Sequence, residues 1–343
     1  MAYTTINKST DYFNTKLYNQ NATASHSITG VGHQPNLLWF KDRVSSSRNH
    51  RIVDAVRGVG KLLKVDGTSA ENTEADTLTS FDSDGFTLGA DANDYGLNGD
   101  NGNNTVAWSW KANGAGSSNS DGDITSTVSA NTTAGFSIVK FTANGTNNGT
   151  IGHGLGVAPK VVLYKRTDST GSWYWLYKYV DGSLDFLQLD STAAKTDLTL
   201  GTYGFTTSTT FTNLGLGNGQ EIIAYCFAEK DGYSKFGSYI GNGNANGTFV
   251  YTGFKPAFIL HKRTDNTSGW DLFDNKRLGY NVANRLLAPN NSDQEATSDK
   301  IDILSNGFKM RTTTGGNYSG ATYIYMAFGQ SLVGSNNVPC TAR

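Results

Sequence analysis

The stretch GFKPAFILHKRTD, Gly253 to Asp265, decides how this chain reads, because the chain says nearly the same thing twice more. GVAPKVVLYKRTD runs from Gly156 to Asp168, and GHQPNLLWFKDR from Gly32 to Arg43. Of 5 prolines in the chain, Pro35, Pro159 and Pro256 hold the same place in this phrase. Proline cannot donate to a strand ladder, so it belongs at a strand's first residue or on an edge. It also pushes the residue before it into extended geometry. Glycines just upstream (Gly32, Gly156 and Gly253) permit the positive φ of a turn. The phrase is thus a turn launching a strand of four apolar or aromatic residues that ends at Lys41, Lys165 or Lys262.

Working outward, each phrase is embedded in a longer unit. A polar-aromatic strand precedes it: DYFNTKLY (Asp11–Tyr18), GFSIVKFT (Gly135–Thr142) and GYSKFGSY (Gly232–Tyr239). After a polar turn come HRIVDAVRG (His50–Gly58), WYWLYKYVDG (Trp173–Gly182) and WDLFDNKRLG (Trp270–Gly279). A glycine-phenylalanine mark follows at Phe86, Phe205 and Phe308, and each unit closes on TVAWSWKA, IIAYCFAE or YIYMAFGQ. In these closing strands Trp108 and Trp110, Tyr225 and Phe227, and Met326 and Phe328 fall two apart and share one face. Small residues lie between them: Ser109, Cys226 and Ala327. Cys226 therefore reads as a buried spacer rather than a nucleophile. The runs VVLY and FILH read as strands buried on both faces.

The fold class is all-β: three tandem repeated β-sandwich domains of jelly-roll or lectin-like type. The expected boundaries are 1–111 for the first repeat, 112–130 for a flexible linker, 131–230 for the second repeat, and 231–343 for the third with a C-terminal tail. The linker rests on ANGAGSSNSDGDITSTVSA, whose composition is that of a flexible connection. The first repeat is expected to be the most separable.

Composition narrows function. The 28 basic and 29 acidic residues are evenly spread, which argues against a nucleic-acid-binding face. No apolar run reaches the roughly 18 residues a membrane helix needs. The N-terminus lacks the pattern of a secretion signal, so the expectation is a soluble product of a reducing cytoplasm. Cys226 and Cys340 are too few for a disulfide scaffold or a zinc site.

The chemistry-bearing patterns are sparse. His-Glu-x-x-His, the Gly-x-Ser-x-Gly elbow and a phosphate-gripping glycine loop are absent, and the histidines lack ligand spacing. No catalytic residue and no cofactor is expected, and the protein reads as a non-enzyme. Asp82, Asp84, Asp91 and Asp94, in FDSDG and DANDYGLNGDNGN, are candidate calcium ligands because oxygen donors recur at alternate positions, although turn chemistry explains them more simply. Trp173, Tyr174 and Trp175 are consecutive, so at least one must face away from the core of a strand; with Trp270 they are candidate glycan or partner contacts. Asp54 and Arg57, like Asp274 and Arg277, share a spacing that suits a local salt bridge.

The phrases GHGLGVAPKVVLYKRTDSTGSW and DGYSKFGSYIGNGNANGTFVYTGFKPAFILHKRTD, with the ending VGSNNVPCTAR, resemble a family of virion structural proteins of marine tailed phages (cyanophage and pelagiphage type) along the whole chain. That resemblance implies a virion-surface location after assembly in the host cytoplasm, with repeated β domains displayed outward. The implied partners are other virion proteins, either major capsid or tail components, with a homo-oligomer on the particle. Head decoration or knob is the leading expectation. A tail-associated adhesin or tail fibre contacting host surface polysaccharide is the alternative.

Overall fold

The computed structural model describes residues 4–198 and 204–331, and within them the chain is all-β. A short 3-10 turn, Ser9–Asp11, is the one helical element among the described residues. The C-terminal tail with Cys340, and part of the segment before Phe205, lie outside them.

Each repeat builds an inner sheet in one fixed order: opening strand, closing strand, proline strand, return strand. In the first repeat these are Phe13–Asn19, Asn104–Trp110, Leu37–Asp42 and Arg51–Asp54. In the second they are Phe136–Thr142, Glu221–Phe227, Val161–Arg166 and Trp173–Tyr177. In the third they are Ser234–Ile240, Thr322–Gly329, Pro256–Arg263 and Trp270–Asp274. All pairings are antiparallel, and the register aligns Leu37, Val161 and Phe258 opposite Trp110, Phe227 and Phe328. An outer sheet covers one face of each inner sheet: His26–Thr29, Gly85–Leu88 and Leu78–Asp82 in the first repeat, Thr150–Gly152 and Thr210–Thr212 in the second. In the third it comprises Phe249–Tyr251, Gly307–Met310, Ala296–Leu304 and Ala283–Leu286. A separate apolar cluster fills each such pair of layers.

The other face of every inner sheet points to a common interior. One continuous cluster takes residues from all three repeats. At its centre Trp110, Phe227 and Phe328, which hold equivalent places, form a triangle of rings with centroids 6.4, 5.7 and 6.1 Å apart. These edge-to-face contacts are the favourable arrangement for aromatic quadrupoles. Separate tandem domains with a separable first repeat are therefore corrected to three walls around one interior. The physical reason lies in the bulky face of the closing strands, which meets neighbours of its own sheet but is covered by side chains of the other two repeats.

The segment 112–130 is also corrected. It holds Ser117–Asn119 and most of Ser126–Asn131, which pair in series onto the opening strand of the second repeat. Its Ser/Thr/Gly composition hid the strand because few residues of the segment, Ile124, Val128 and Ala130, carry apolar groups to the layer beneath.

The walls are joined cyclically. Lys41, Lys165 and Lys262 are fully buried, and each ammonium donates to a main-chain carbonyl of the preceding repeat in the cycle: Ser292 at 3.1 Å, Thr68 at 3.3 Å and Thr192 at 3.4 Å. Each also donates at 2.7 Å to a carbonyl of its own repeat, that of Arg48, Arg166 or Arg263. Burial pushes all three amines down to about 8. Beside them, the amides of Glu295, Glu71 and Lys195 bond the carbonyls of Arg43, Thr167 and Thr264 across the same three seams. Trp173 and Trp270 add indole donors to the carbonyls of Lys64 and Gln188, at 2.7 and 3.0 Å.

If the interior is shared, Phe328→Ala should cost about 3–5 kcal/mol, as large aromatic truncations in cores do. Urea unfolding followed by near-ultraviolet circular dichroism, fluorescence and hydrogen exchange in each repeat should show one coincident transition. Unfolding of the first repeat alone would contradict the fold described.

Candidate binding surfaces

The expected D-x-x-R pairs exist, and they sit on the seams. Arg57 Nε donates to Asp54 Oδ2 at 2.6 Å, and Arg277 Nε to Asp274 Oδ2 at 2.6 Å, all four groups being buried. The neighbouring repeat completes each pair: the Tyr225 hydroxyl donates to Asp54 Oδ2 at 2.8 Å, and the Trp108 indole to Asp274 Oδ2 at 3.0 Å. A buried carboxylate needs such saturation to remain charged. At the third seam the equivalent places hold Tyr177, Val180 and Met326, and apolar packing replaces the ionic set.

The four candidate calcium ligands are each engaged by protein donors. Asp82 accepts the hydroxyls of Ser80 and Thr87, both at 2.7 Å. Asp84 accepts the amides of Gly30 and Gly32 at 3.1 and 2.6 Å. Asp91 caps Tyr95, Leu97 and Asn98, and Asp94 pairs with Arg48. Asp82, Asp84 and Asp91 thus act as turn acceptors for amides and hydroxyls, whereas Asp94 pairs through Oδ2 with a guanidinium and its buried Oδ1 has no partner.

Sequence reasoning missed a tighter acidic group. Asp181, Asp185 and Asp197 converge, and the Lys195 ammonium lies among them at 2.7, 3.1 and 2.6 Å. Lys195 holds Asp181 down at about 2, while burial and the neighbouring Asp197 raise Asp185 to about 6. The ammonium stands where a cation would.

Of the glycan candidates, Trp173, Trp175 and Trp270 are interior, at most 1% exposed, and belong to the shared cluster. Tyr174 faces the other way. It lines a hollow of about 360 Å³ on the second repeat, with Tyr164, Phe186, Arg166, Ser172 and Gln220 among its neighbours. Tyr164 stacks on Tyr174 with centroids 5.2 Å apart, and Phe186 meets Tyr174 edge-on at 5.3 Å. Arg166 is held by Asp168 through two hydrogen bonds, which fixes its planar edge at the hollow. Tyr164 was legible in principle, because it stands directly opposite Tyr174 once the two strands pair.

The larger cavity, about 1050 Å³, lies between the first and third repeats. Its walls are the opening strand at Phe13, Asn14 and Thr15 and the turn bearing Asn275, Lys276 and Tyr280. Nothing in the sequence marks it, since it arises only when the two repeats meet.

Two predictions follow from these electrostatics. Lys195→Met strands three converging carboxylates, so it should lose about 1–3 kcal/mol at pH 7. Millimolar calcium should then raise its melting temperature while leaving that of the parent unchanged. The histidines give a pH dependence. Burial drives His33 and His261 down to about 4, so between about 6.5 and 4 the unfolded chain binds protons that the folded chain refuses. Stability is thus full above about 6.5 and declines as pH falls, by up to about 1.4 kcal/mol per pH unit for each histidine. Urea midpoints of a His261→Phe variant across this window should show a shallower slope than the parent; equal slopes would refute the assignment.

The chain matches, over residues 8–331, the family described as a domain of unknown function, DUF7483. No curated protein matches it. The match takes in all three repeats and both cavities, and the protein belongs to the DUF7483 family.

Proposed function

We propose that this protein is a non-enzymatic component of a tailed-phage virion surface, placed on the head as a decoration or knob. In this reading each repeat is a jelly-roll or lectin-like β-sandwich, and its partners are other virion proteins, the major capsid protein foremost. The observation that carries it is the cyclic arrangement of three similar walls around one interior. A single chain that presents three related faces about an axis suits a lattice point where three subunits meet. The buried ionisable groups lend support: at each seam they are bonded to one another or to main chain, as in a scaffold. Many copies on a particle would convert weak contacts into firm attachment. Immunogold labelling or a particle reconstruction tests the placement. Label on the head surface is expected, and label confined to the tail would reject decoration.

One observation favours the second reading, a tail-associated adhesin for host polysaccharide. The Tyr164–Tyr174–Phe186 hollow joins aromatic faces to the fixed Arg166 edge, the combination that suits the apolar face and hydroxyls of a sugar. For an adhesin, Tyr174→Ala should weaken binding to host polysaccharide about tenfold, a loss near 1.4 kcal/mol, measured well below the variant's own melting transition, which lost packing on Tyr164 and Phe186 should lower. Equal binding by parent and variant would remove the hollow from this role.

A further inference from the structure

Each outer sheet ends on a strand that stands in register with its counterparts. Ile28, Ile151 and Val250 lie opposite Phe86, Phe211 and Phe308, and all six fill their own repeat's cluster. The residues flanking that central position are therefore equivalent: Ser27 and Thr29, Thr150 and Gly152, Phe249 and Tyr251. In the third repeat the Met310 amide donates to the Thr248 carbonyl and the Thr252 amide to the Asn306 carbonyl, both at 3.0 Å. Main-chain groups alternate sides along an antiparallel strand, so those of Phe249 and Tyr251 point to the sheet's open edge.

The three edges are finished differently. In the second repeat the chain closes its own edge: the Thr150 amide donates to Asp123 Oδ2 at 3.0 Å, the Ile124 amide to the Thr150 carbonyl at 3.0 Å, and the Ser126 hydroxyl to the Gly152 carbonyl at 3.2 Å. In the first, Ser27 and Thr29 are exposed, and their hydroxyl side chains suit an edge left to water. In the third, the outward main-chain groups of Phe249 and Tyr251 have no partner among the described residues, and the two rings are 45% and 61% exposed. Ile240, 54% exposed, adjoins them, because the Thr248 hydroxyl donates to its carbonyl at 2.8 Å. Exposed strand edges are ordinarily blunted by charge or proline, yet Phe236 to Phe254 carries neither. Lys309, opposite Phe249 within the sheet, is bonded to Asn246. Phe249 is also held in place: its ring lies over Gly307, where a Cβ would stand 3.1 Å from it.

We infer that a second copy of this chain pairs at this edge, Phe249–Tyr251 against Phe249–Tyr251, antiparallel about a two-fold axis at Val250. Self-complementarity selects a copy as the occupant. With Phe249 opposite the partner's Tyr251, every outward amide and carbonyl of both residues meets its complement. The same register sets each phenylalanine beside a tyrosine of the other copy on one face, an aromatic cross-strand pair made twice. Such a contact is isologous and closes on itself, and strand addition of this kind draws its affinity from the main chain. The inference does not depend on where the protein resides.

Sedimentation velocity of the full-length protein from micromolar to millimolar concentration, with residue-level hydrogen exchange at both ends of that range, tests it. The expected result is a monomer–dimer equilibrium, with protection of the Phe249 and Tyr251 amides that grows with the dimer fraction. Tyr251→Lys, at a largely exposed position, should weaken dimerisation by about tenfold or more and keep the melting curve of the dilute parent. Phe249→Glu combined with Tyr251→Lys in one chain should recover dimerisation, because the register sets each new carboxylate beside a new ammonium. If loss of the ring over Gly307 unfolds that double variant, Tyr251→Lys and the exchange pattern decide. A protein that stays monomeric at millimolar concentration overturns the proposal. So does a dimer that Tyr251→Lys leaves intact, a dimer without protection at these two amides, a folded double variant no better than Tyr251→Lys, or growth into species larger than a dimer.

Discussion

Trp110, Phe227 and Phe328 meet at the axis from equivalent places in three repeats, and their contact turns each inner sheet into a shared wall. A closing strand that carries bulky groups on one face must bury that face, and its own outer sheet lies on the other side. The burial is substantial, since the side chains involved include five of the chain's 6 tryptophans, Trp108, Trp110, Trp173, Trp175 and Trp270, each at most 2% exposed. Fully burying one large apolar side chain is worth about 1.5–3 kcal/mol. No repeat retains that contribution by itself, so the three units are thermodynamically one body even though each keeps a private cluster beneath its outer sheet.

The seams show how polar groups are accommodated once the aromatic contact has brought the walls together. An ammonium ion out of water is costly unless its donors are filled, and each of Lys41, Lys165 and Lys262 is met by carbonyls of two repeats. The seams also vary as sets. Where the return strand ends in Asp, the neighbouring closing strand offers a tryptophan or tyrosine donor; where it ends in Tyr177, the corresponding residue is Met326, with no strong donor. A lone exchange would strand a charge. Converting Asp54 without Tyr225, or the reverse, leaves a buried polar atom uncompensated, which explains why donor and acceptor differ together.

Much of this was legible in the sequence because strand signals are local. Proline at the strand start, residues two apart on the closing strands, and the small spacer at Cys226 depend on near neighbours, and the register places Ser109, Cys226 and Ala327 as equivalents. The shared interior was not legible. A strand apolar on both faces reads the same whether its second layer belongs to its own repeat or to two others. Lys41, Lys165 and Lys262 were visible as a recurrence, but a lysine that ends an apolar run ordinarily marks the return to water, and the carbonyls that hold these three are distant in the chain. Tyr174 illustrates the middle case: alternation required one aromatic of three to face outward, and only the pairing with Val161–Arg166 placed Tyr164 beside it.

Fusion of three repeats in one chain also explains where the repeats differ. An assembly of three identical chains must change all three faces at once, whereas a single chain can alter one seam and keep the others. Here the interior remains similar and the edges diverge: a strand covers the second opening strand, a glutamate caps the third, and the first borders a cavity. The outer faces diverge likewise, since the two-stranded outer sheet of the second repeat leaves room for the Tyr174 hollow. The residues that hold the body together are thus separated in space from those that distinguish its faces. A substitution at Lys276 acts on a surface feature and one at Tyr174 on the second repeat's own cluster, while a change at Lys165 touches two repeats and one at Trp110 meets rings of all three.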